Sequence, residues 1–192
     1  MWPTTMSISG TTPGGFRLTT FSSSAERWTT GGSCGIGTIC HEFSHWLGLP
    51  DFYPTSEDGE YTVLDEWDLM DGGNFCDDGW CPPNYSVHEK DFLGWATPDE
   101  LTRTTTISDM KSTHEGGRGY RIRPDLMNDA DEYYLLENRQ QEGWDYFLPG
   151  HGLLVTHIDF KSSSWSGNTV NADKKHYRIN YVTADNRHYA DY

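Results

Sequence analysis

The stretch His41-Glu42-Phe43-Ser44-His45-Trp46-Leu47-Gly48-Leu49-Pro50-Asp51 decides how this chain is read. Around it, Ile36, Ile39, Cys40, Phe43, Trp46 and Leu47 recur at helical spacing, which predicts a helix over Gly35–Leu47 with one apolar face. His41 and His45 are one helical turn apart, so both imidazoles leave the same face and can share a Zn²⁺ ion. Glu42 sits beside the first ligand, where its carboxylate can take a proton from zinc-bound water. Gly48 lacks a β-carbon and lets the chain turn sharply, bringing Asp51 back as a third ligand. Three protein ligands with an open fourth position is the arrangement of catalytic zinc. Two surface histidines beside a capping Asp would explain neither the Gly nor the Asp.

Working outward, the chain has 192 residues, 14 Lys+Arg against 29 Asp+Glu, and a net charge of −15. Aromatic residues make up 14% of it, which argues against disorder. No apolar run is long enough for a membrane span, and an acidic chain without a basic stripe repels nucleic acid. The charge is concentrated: Asp51, Glu57, Asp58, Glu60, Asp65, Glu66, Asp68, Asp71, Asp77 and Asp78 fall in residues 51–81, with no Lys or Arg. This is either a solvated acidic loop or a source of oxygen ligands. It also suggests a bias toward cationic substrates. No signal peptide is visible after Met1.

Residues 1–40 read as Ser/Thr/Gly-rich loops with a short strand near Phe16–Phe21. Ser86 and Glu89 form a capping-box signature for a second short helix, which Gly94 closes. Beyond Pro98, β-branched and aromatic runs at Thr104–Ile107, Tyr120–Ile122, Tyr133–Glu137, Leu153–Ile158 and His176–Val182 predict strands. The expected class is α+β, with a zinc-binding catalytic part over residues 1–96 and a β-rich continuation over 97–192 packed on it. Cys34, Cys40, Cys76 and Cys81 suit an oxidising compartment. Cys76–Cys81 is the preferred bridge and Cys34–Cys40 the second, with a buried free thiol at Cys40 as the alternative. The other histidines, His88, His114, His151, His157, His176 and His188, have no paired spacing, and His157 reads as a satisfied core or edge residue.

The string HEFSHWLGLPDFY over residues 41–53 resembles the long zinc motif of the metzincin clan, with Asp in place of the usual third His. Followed by Trp67-Asp68-Leu69-Met70-Asp71-Gly72-Gly73 and Glu89-Lys90-Asp91-Phe92-Leu93-Gly94-Trp95, it resembles the immune-inhibitor-A-type secreted metalloproteases. Tyr134–Gln140 and Leu148–Leu154 are similar to segments of that family, so the likeness spans most of residues 33–160. The resemblance implies the C-terminal half of a metzincin-like zincin catalytic domain, secreted, acting on protein or peptide substrates. It implies Met70 as the Met of the turn beneath the zinc, and it raises Ca²⁺ as a structural ion. Glu57-Asp58-Gly59-Glu60 is no EF-hand loop, however, and Asp129 and Asp131 read equally well as turn residues. Tyr53 and Tyr85 are the tyrosines available to assist the site.

The expected reaction is peptide-bond hydrolysis, with Glu42 as general base and then as proton donor to the leaving amine. Asp51 would moderate the Lewis acidity of the zinc relative to a third His. A different class, a non-catalytic zinc-stabilised module binding carbohydrate or protein, draws support from the β-rich, aromatic back half, in which Trp144 and Trp165 are expected to be exposed. Glu42 discriminates, because a structural site has no use for a general base. Metzincin-like domains place a sheet and a long helix ahead of the zinc helix, and Trp2-Pro3 resembles an internal segment. Upstream strands and a propeptide are therefore expected to be missing, and the isolated chain to expose apolar surface or be an inactive fragment.

Overall fold

The computed structural model describes residues 3–56, 62–124 and 131–185. Strands β1 (Thr4–Thr11) and β2 (Arg17–Ser23) form an antiparallel hairpin. Helix α1 (Gly37–Leu47) follows and lies against both strands. Helix α2 (Val87–Phe92) comes next. A five-stranded sheet then has the order β3 (Asp99–Glu100), β4 (Tyr120–Ile122), β5 (Glu132–Arg139), β6 (Gly152–Asp159), β7 (Ile179–Tyr181). Its strands are antiparallel except for the parallel β3–β4 pair. Helix α3 (Ser162–Ser166) sits between β6 and β7.

The local signals mostly acted as expected. Ser86 Oγ accepts from the Glu89 amide while the Glu89 carboxylate accepts from the Ser86 amide, completing the capping box of α2. Thr104–Ile107, however, forms no strand, and β1 arises where the Ser/Thr-rich sequence suggested loops. His176–Val182 contributes only Ile179–Tyr181. Pairing with a neighbour, and not propensity alone, settles each of these short segments.

Helix α1 departs from the usual inside–outside rule. Its polar residues Thr38, His41, Glu42 and Ser44 are buried, whereas Ile39, Phe43 and Trp46 are each more than half exposed. The apolar stripe predicted from periodicity exists but is only partly covered: Cys40 packs against the core and Trp46 Nε1 donates to Ser22 Oγ of β2. The core lies on the other side and joins both parts of the chain. Leu49, Phe52, Leu64 and Met70 pack in one cluster with Tyr133, Leu135, Ile158 and Ile179 of the sheet. Trp165, expected to be exposed, is also inside this cluster, whereas Trp144 is about half exposed.

The acidic stretch is not simply a solvated loop. Asp71 accepts from the Val63 and Leu64 amides and from the Thr62 hydroxyl. Asp68 Oδ1 accepts from the Met70 amide at 2.8 Å. Glu57, Asp58, Glu60, Asp129, Trp2 and His188 lie outside the described residues. The four cysteines are free thiols. Instead of bridging, Cys76 Sγ donates to the Glu66 carbonyl and Cys81 Sγ to the Gly143 and Trp144 carbonyls, so the expected Cys76–Cys81 pairing is not formed, nor is Cys34–Cys40.

Burial pushes the Asp68 carboxyl up to about 7, with the Met70 amide only partly opposing it. Burial and nearby Asp68 also drive Glu89 well up. In the unfolded chain an Asp titrates near ~3.9, so between about pH 4 and pH 7 the native state binds more protons. Stability contributed by this group is therefore present at low pH and is lost as pH rises toward 7. Asp68→Asn keeps the acceptor for Met70 without the charge. In chelator-treated protein it is expected to melt higher than the parent at pH 8, with the gap closing toward pH 4. Equal melting temperatures at pH 8 would refute this.

Candidate metal centre

His41, His45 and Asp51 come together as the sequence predicted, each offering a ligand atom, with all of these within 4.8 Å of one another. The rings of His41 and His45 meet edge to face at 4.9 Å. Gly48 ends α1 in the left-handed region at φ 103°, its amide and that of Leu49 returning to carbonyls of the last turn. This reversal carries the chain to Asp51. Gly37 matters at the other end: a β-carbon there would sit 2.0 Å from the Asn74 carbonyl oxygen. Its absence lets α1 lie directly on the segment that follows Met70.

The hydrogen bonding fixes what the imidazoles present. His41 Nδ1 is 2.8 Å from the Leu69 carbonyl and His45 Nδ1 is 2.8 Å from the Leu49 carbonyl. A carbonyl only accepts, so both protons of the neutral rings sit on Nδ1 and both Nε2 atoms carry lone pairs. Those lone pairs face Asp51 Oδ1 at 3.0 and 3.3 Å. Converging acceptors of this kind need a cation between them, either protons or a metal ion. Two imidazoles and a carboxylate, each ring held by a backbone carbonyl behind it, fit Zn²⁺ by donor type and by outer-shell support.

Although burial pushes Asp51 upward, the two imidazoles, which donate to it when they carry a second proton, and the Asn168 amide hold its carboxyl well below the usual carboxylate range. Burial opposes charge on His45 too, but Asp51 outweighs it and raises the ring above its ordinary value. The Asn168 latch was not legible in the sequence. Its Nδ2 donates to Asp51 Oδ2 at 2.7 Å, and its Oδ1 accepts from the Asp51 amide at 2.6 Å. Asn168 has φ 53°, a left-handed turn after α3 that Asn tolerates. The Gly167-Asn168 turn was the only local hint.

Glu42 is buried beside the cluster, and Thr5 Oγ1 lies 2.7 Å from its Oε2. Thr5 comes from β1, so the hairpin orients this carboxylate. Met70 is fully buried; its carbonyl accepts from the Phe52 amide, and the preceding Leu69 carbonyl receives His41. The Met70 turn thus lies against the imidazole side of the cluster. Of the two tyrosines, Tyr53 stacks on His41 at 6.3 Å, and burial together with Asp51 pushes its hydroxyl up. Tyr85 instead bonds Ser44 Oγ at 2.6 Å. His157 is satisfied by Glu132 and Asn180 at the sheet. Among the described residues no second group of three metal-binding side chains converges, and calcium finds no support there.

His41, His45 and Asp51 form a cluster that could hold a metal ion, with Glu42 beside it, and comparison with known proteins points to a peptidase family. Residues 6–97 match the family described as immune inhibitor A peptidase M6, catalytic domain. Over 60 residues the chain is 36% identical to Immune inhibitor A of Bacillus thuringiensis subsp. alesti, a stretch that covers 30% of this chain. The same stretch spans only 9% of that protein's length. The likeness to immune-inhibitor-A-type peptidases, read over most of residues 33–160, is therefore shown for the part that falls within residues 6–97, while the segments Tyr134–Gln140 and Leu148–Leu154 lie beyond the match. No helix among the described residues is long and apolar enough to cross a membrane.

Proposed function

We propose that this chain carries the catalytic centre of a secreted zinc-dependent endopeptidase that hydrolyses peptide bonds in proteins. The observation that carries the proposal is the convergence of the His41 and His45 lone pairs on Asp51, with a buried, oriented carboxylate at Glu42. His41, His45 and Asp51 hold the ion, which when bound supplies Lewis acidity toward a carbonyl and acidifies a water. Glu42 takes the proton of the attacking water and returns it to the leaving amine. Thr5 holds one Glu42 oxygen, leaving the other for this transfer. Leu69 and Leu49 carbonyls lock the imidazole tautomers, and Asn168 keeps Asp51 charged and aimed.

Family likeness supports secretion and protein substrates. Hydrolysis of a labelled protein substrate, measured before and after chelation and zinc restoration, tests the reading. Activity untouched by chelation would overturn it in favour of another reaction. Zinc binding without hydrolysis would favour the non-catalytic module or inactive fragment.

Asn168 provides a separate check on the ligand set. Asn168→Gly keeps the left-handed turn but removes both hydrogen bonds to Asp51. It is expected to weaken zinc binding about 10–100-fold, the usual cost of losing an outer-shell partner. Competition with a chromophoric chelator measures this; an unchanged affinity would mean that Asp51 is not a ligand or needs no latch.

A further inference from the structure

Four side chains close a ring between the hairpin and α1. Thr5 and Ser22 are directly opposed in the β1–β2 register, so both hydroxyls leave the same face of the hairpin. Glu42 and Trp46 stand about one helical turn apart on α1. The two pairs meet: Trp46 Nε1 is 2.8 Å from Ser22 Oγ, Ser22 Oγ is 2.7 Å from Thr5 Oγ1, and Thr5 Oγ1 is 2.7 Å from Glu42 Oε2. The ring runs inward from the surface, since Trp46 is more than half exposed and Glu42 is buried.

Chemistry fixes the direction of every link. An indole nitrogen only donates, so Ser22 Oγ accepts from Trp46. An ionised carboxylate only accepts, and so does the Glu42 carbonyl, which lies 3.0 Å from Thr5 Oγ1. The single Thr5 proton therefore goes to Glu42, and Ser22 is left as the donor to Thr5. Three protons thus point one way, from Trp46 through Ser22 and Thr5 to Oε2 of Glu42. Hydrogen bonds in series polarise one another, and the link to the charged oxygen is the strong one.

We propose that Thr5, Ser22 and Trp46 are positioning residues for Glu42, their chain holding Oε2 in place so that Oε1 carries the proton. Oε1 takes that proton from the attacking water and hands it to the leaving amine, while Oε2 stays with Thr5 throughout. This rests on the peptidase reading, with Glu42 as general base. None of the three touches the reacting atoms, and Ser22 and Trp46 act only through Thr5. A ring that merely fastened the hairpin to α1 would lower the melting temperature without slowing the folded protein.

The test joins kinetics to NMR of zinc-loaded chain labelled with ¹⁵N-tryptophan. Trp46→Phe keeps a ring beside Phe43 and identifies the Trp46 indole resonance among the eight tryptophans. Glu42→Gln removes the charge at the end of the chain and is expected to move that resonance upfield. Ser22→Ala, at an exposed position that folding tolerates, breaks the chain between them. In that background Glu42→Gln should lose most of its effect on Trp46, the remainder being the direct field of the charge.

Thr5→Val keeps the shape but removes the donor to a charged oxygen. It is expected to lower kcat about 10–100-fold with KM within about twofold and zinc content kept, and Thr5→Ser to recover kcat to within about threefold of the parent. Ser22→Ala and Trp46→Phe remove neutral links and should each lower kcat about 2–10-fold. A Trp46 signal indifferent to Glu42→Gln, or equally responsive with Ser22→Ala, overturns the chain. A hydrolytic parent whose Thr5→Val variant keeps full kcat, or whose Thr5→Ser variant is as slow as Thr5→Val, overturns the positioning role alone. A parent without chelator-sensitive hydrolysis overturns the peptidase reading and this role with it, while the Trp46 response still decides the chain.

Discussion

Zinc-loaded protein carrying Glu42→Gln is expected to hydrolyse protein substrates about 10²–10⁴-fold more slowly than the parent, the range that positioned proton transfer contributes. Gln preserves the shape of the side chain and can still accept from Thr5 Oγ1, now 2.7 Å from Oε2. It cannot take a proton. The ligands His41, His45 and Asp51 are untouched, so zinc content should remain that of the parent. Turnover of a labelled peptide and metal analysis of the same sample check both halves of the statement. Full turnover by the zinc-loaded variant would sink the role of Glu42; lost zinc would show that the substitution had disturbed the ligands instead.

Arg139→Met is expected to destabilise the chain by about 3–5 kcal/mol, the cost of removing one partner from a buried ion pair. Arg139 is wholly inaccessible and bonds both Asp145 oxygens, at 2.7 and 3.1 Å. It also reaches the carbonyl of Asn84 at 3.3 Å, and Glu137 lies 3.8 Å away. Asp145 in turn accepts from the Asn84 amide. One guanidinium thus ties β5 to the segment before α2. Removing it strands a fully buried carboxylate, so Asp145→Asn added to Arg139→Met should recover part of the loss. Urea denaturation measures both variants. A midpoint within experimental error of the parent would mean that water or a rearranged partner neutralises Asp145.

Much of the candidate site was legible because its signals are local. One helical turn places His41 and His45 on a common face whatever surrounds them, and Gly48 takes up a backbone conformation that few other residues tolerate. The capping box of α2 is likewise a contact among near neighbours in the chain. The errors fall where a distant segment decides. Thr4–Thr11 became β1 because β2 pairs with it, and Thr104–Ile107 found no such partner. Trp165 is buried because Phe52 and His88, both distant in sequence, close over it together with the nearby Phe160.

The sequence by itself determined the donor set, the acid beside it and the helix that carries them, since these depend on residue chemistry and a 3.6-residue period. Tertiary structure alone decided the rest of the site. Leu69 sets the tautomer of His41 from 28 residues away, Thr5 orients Glu42 across 37, and Asn168 fixes Asp51 across 117. It also decided that α1 buries its polar face and leaves Ile39, Phe43 and Trp46 of its apolar stripe more than half exposed. Periodicity shows that a helix has two faces; which face turns inward depends on the partners that close over it, and these are brought there only by the folded chain.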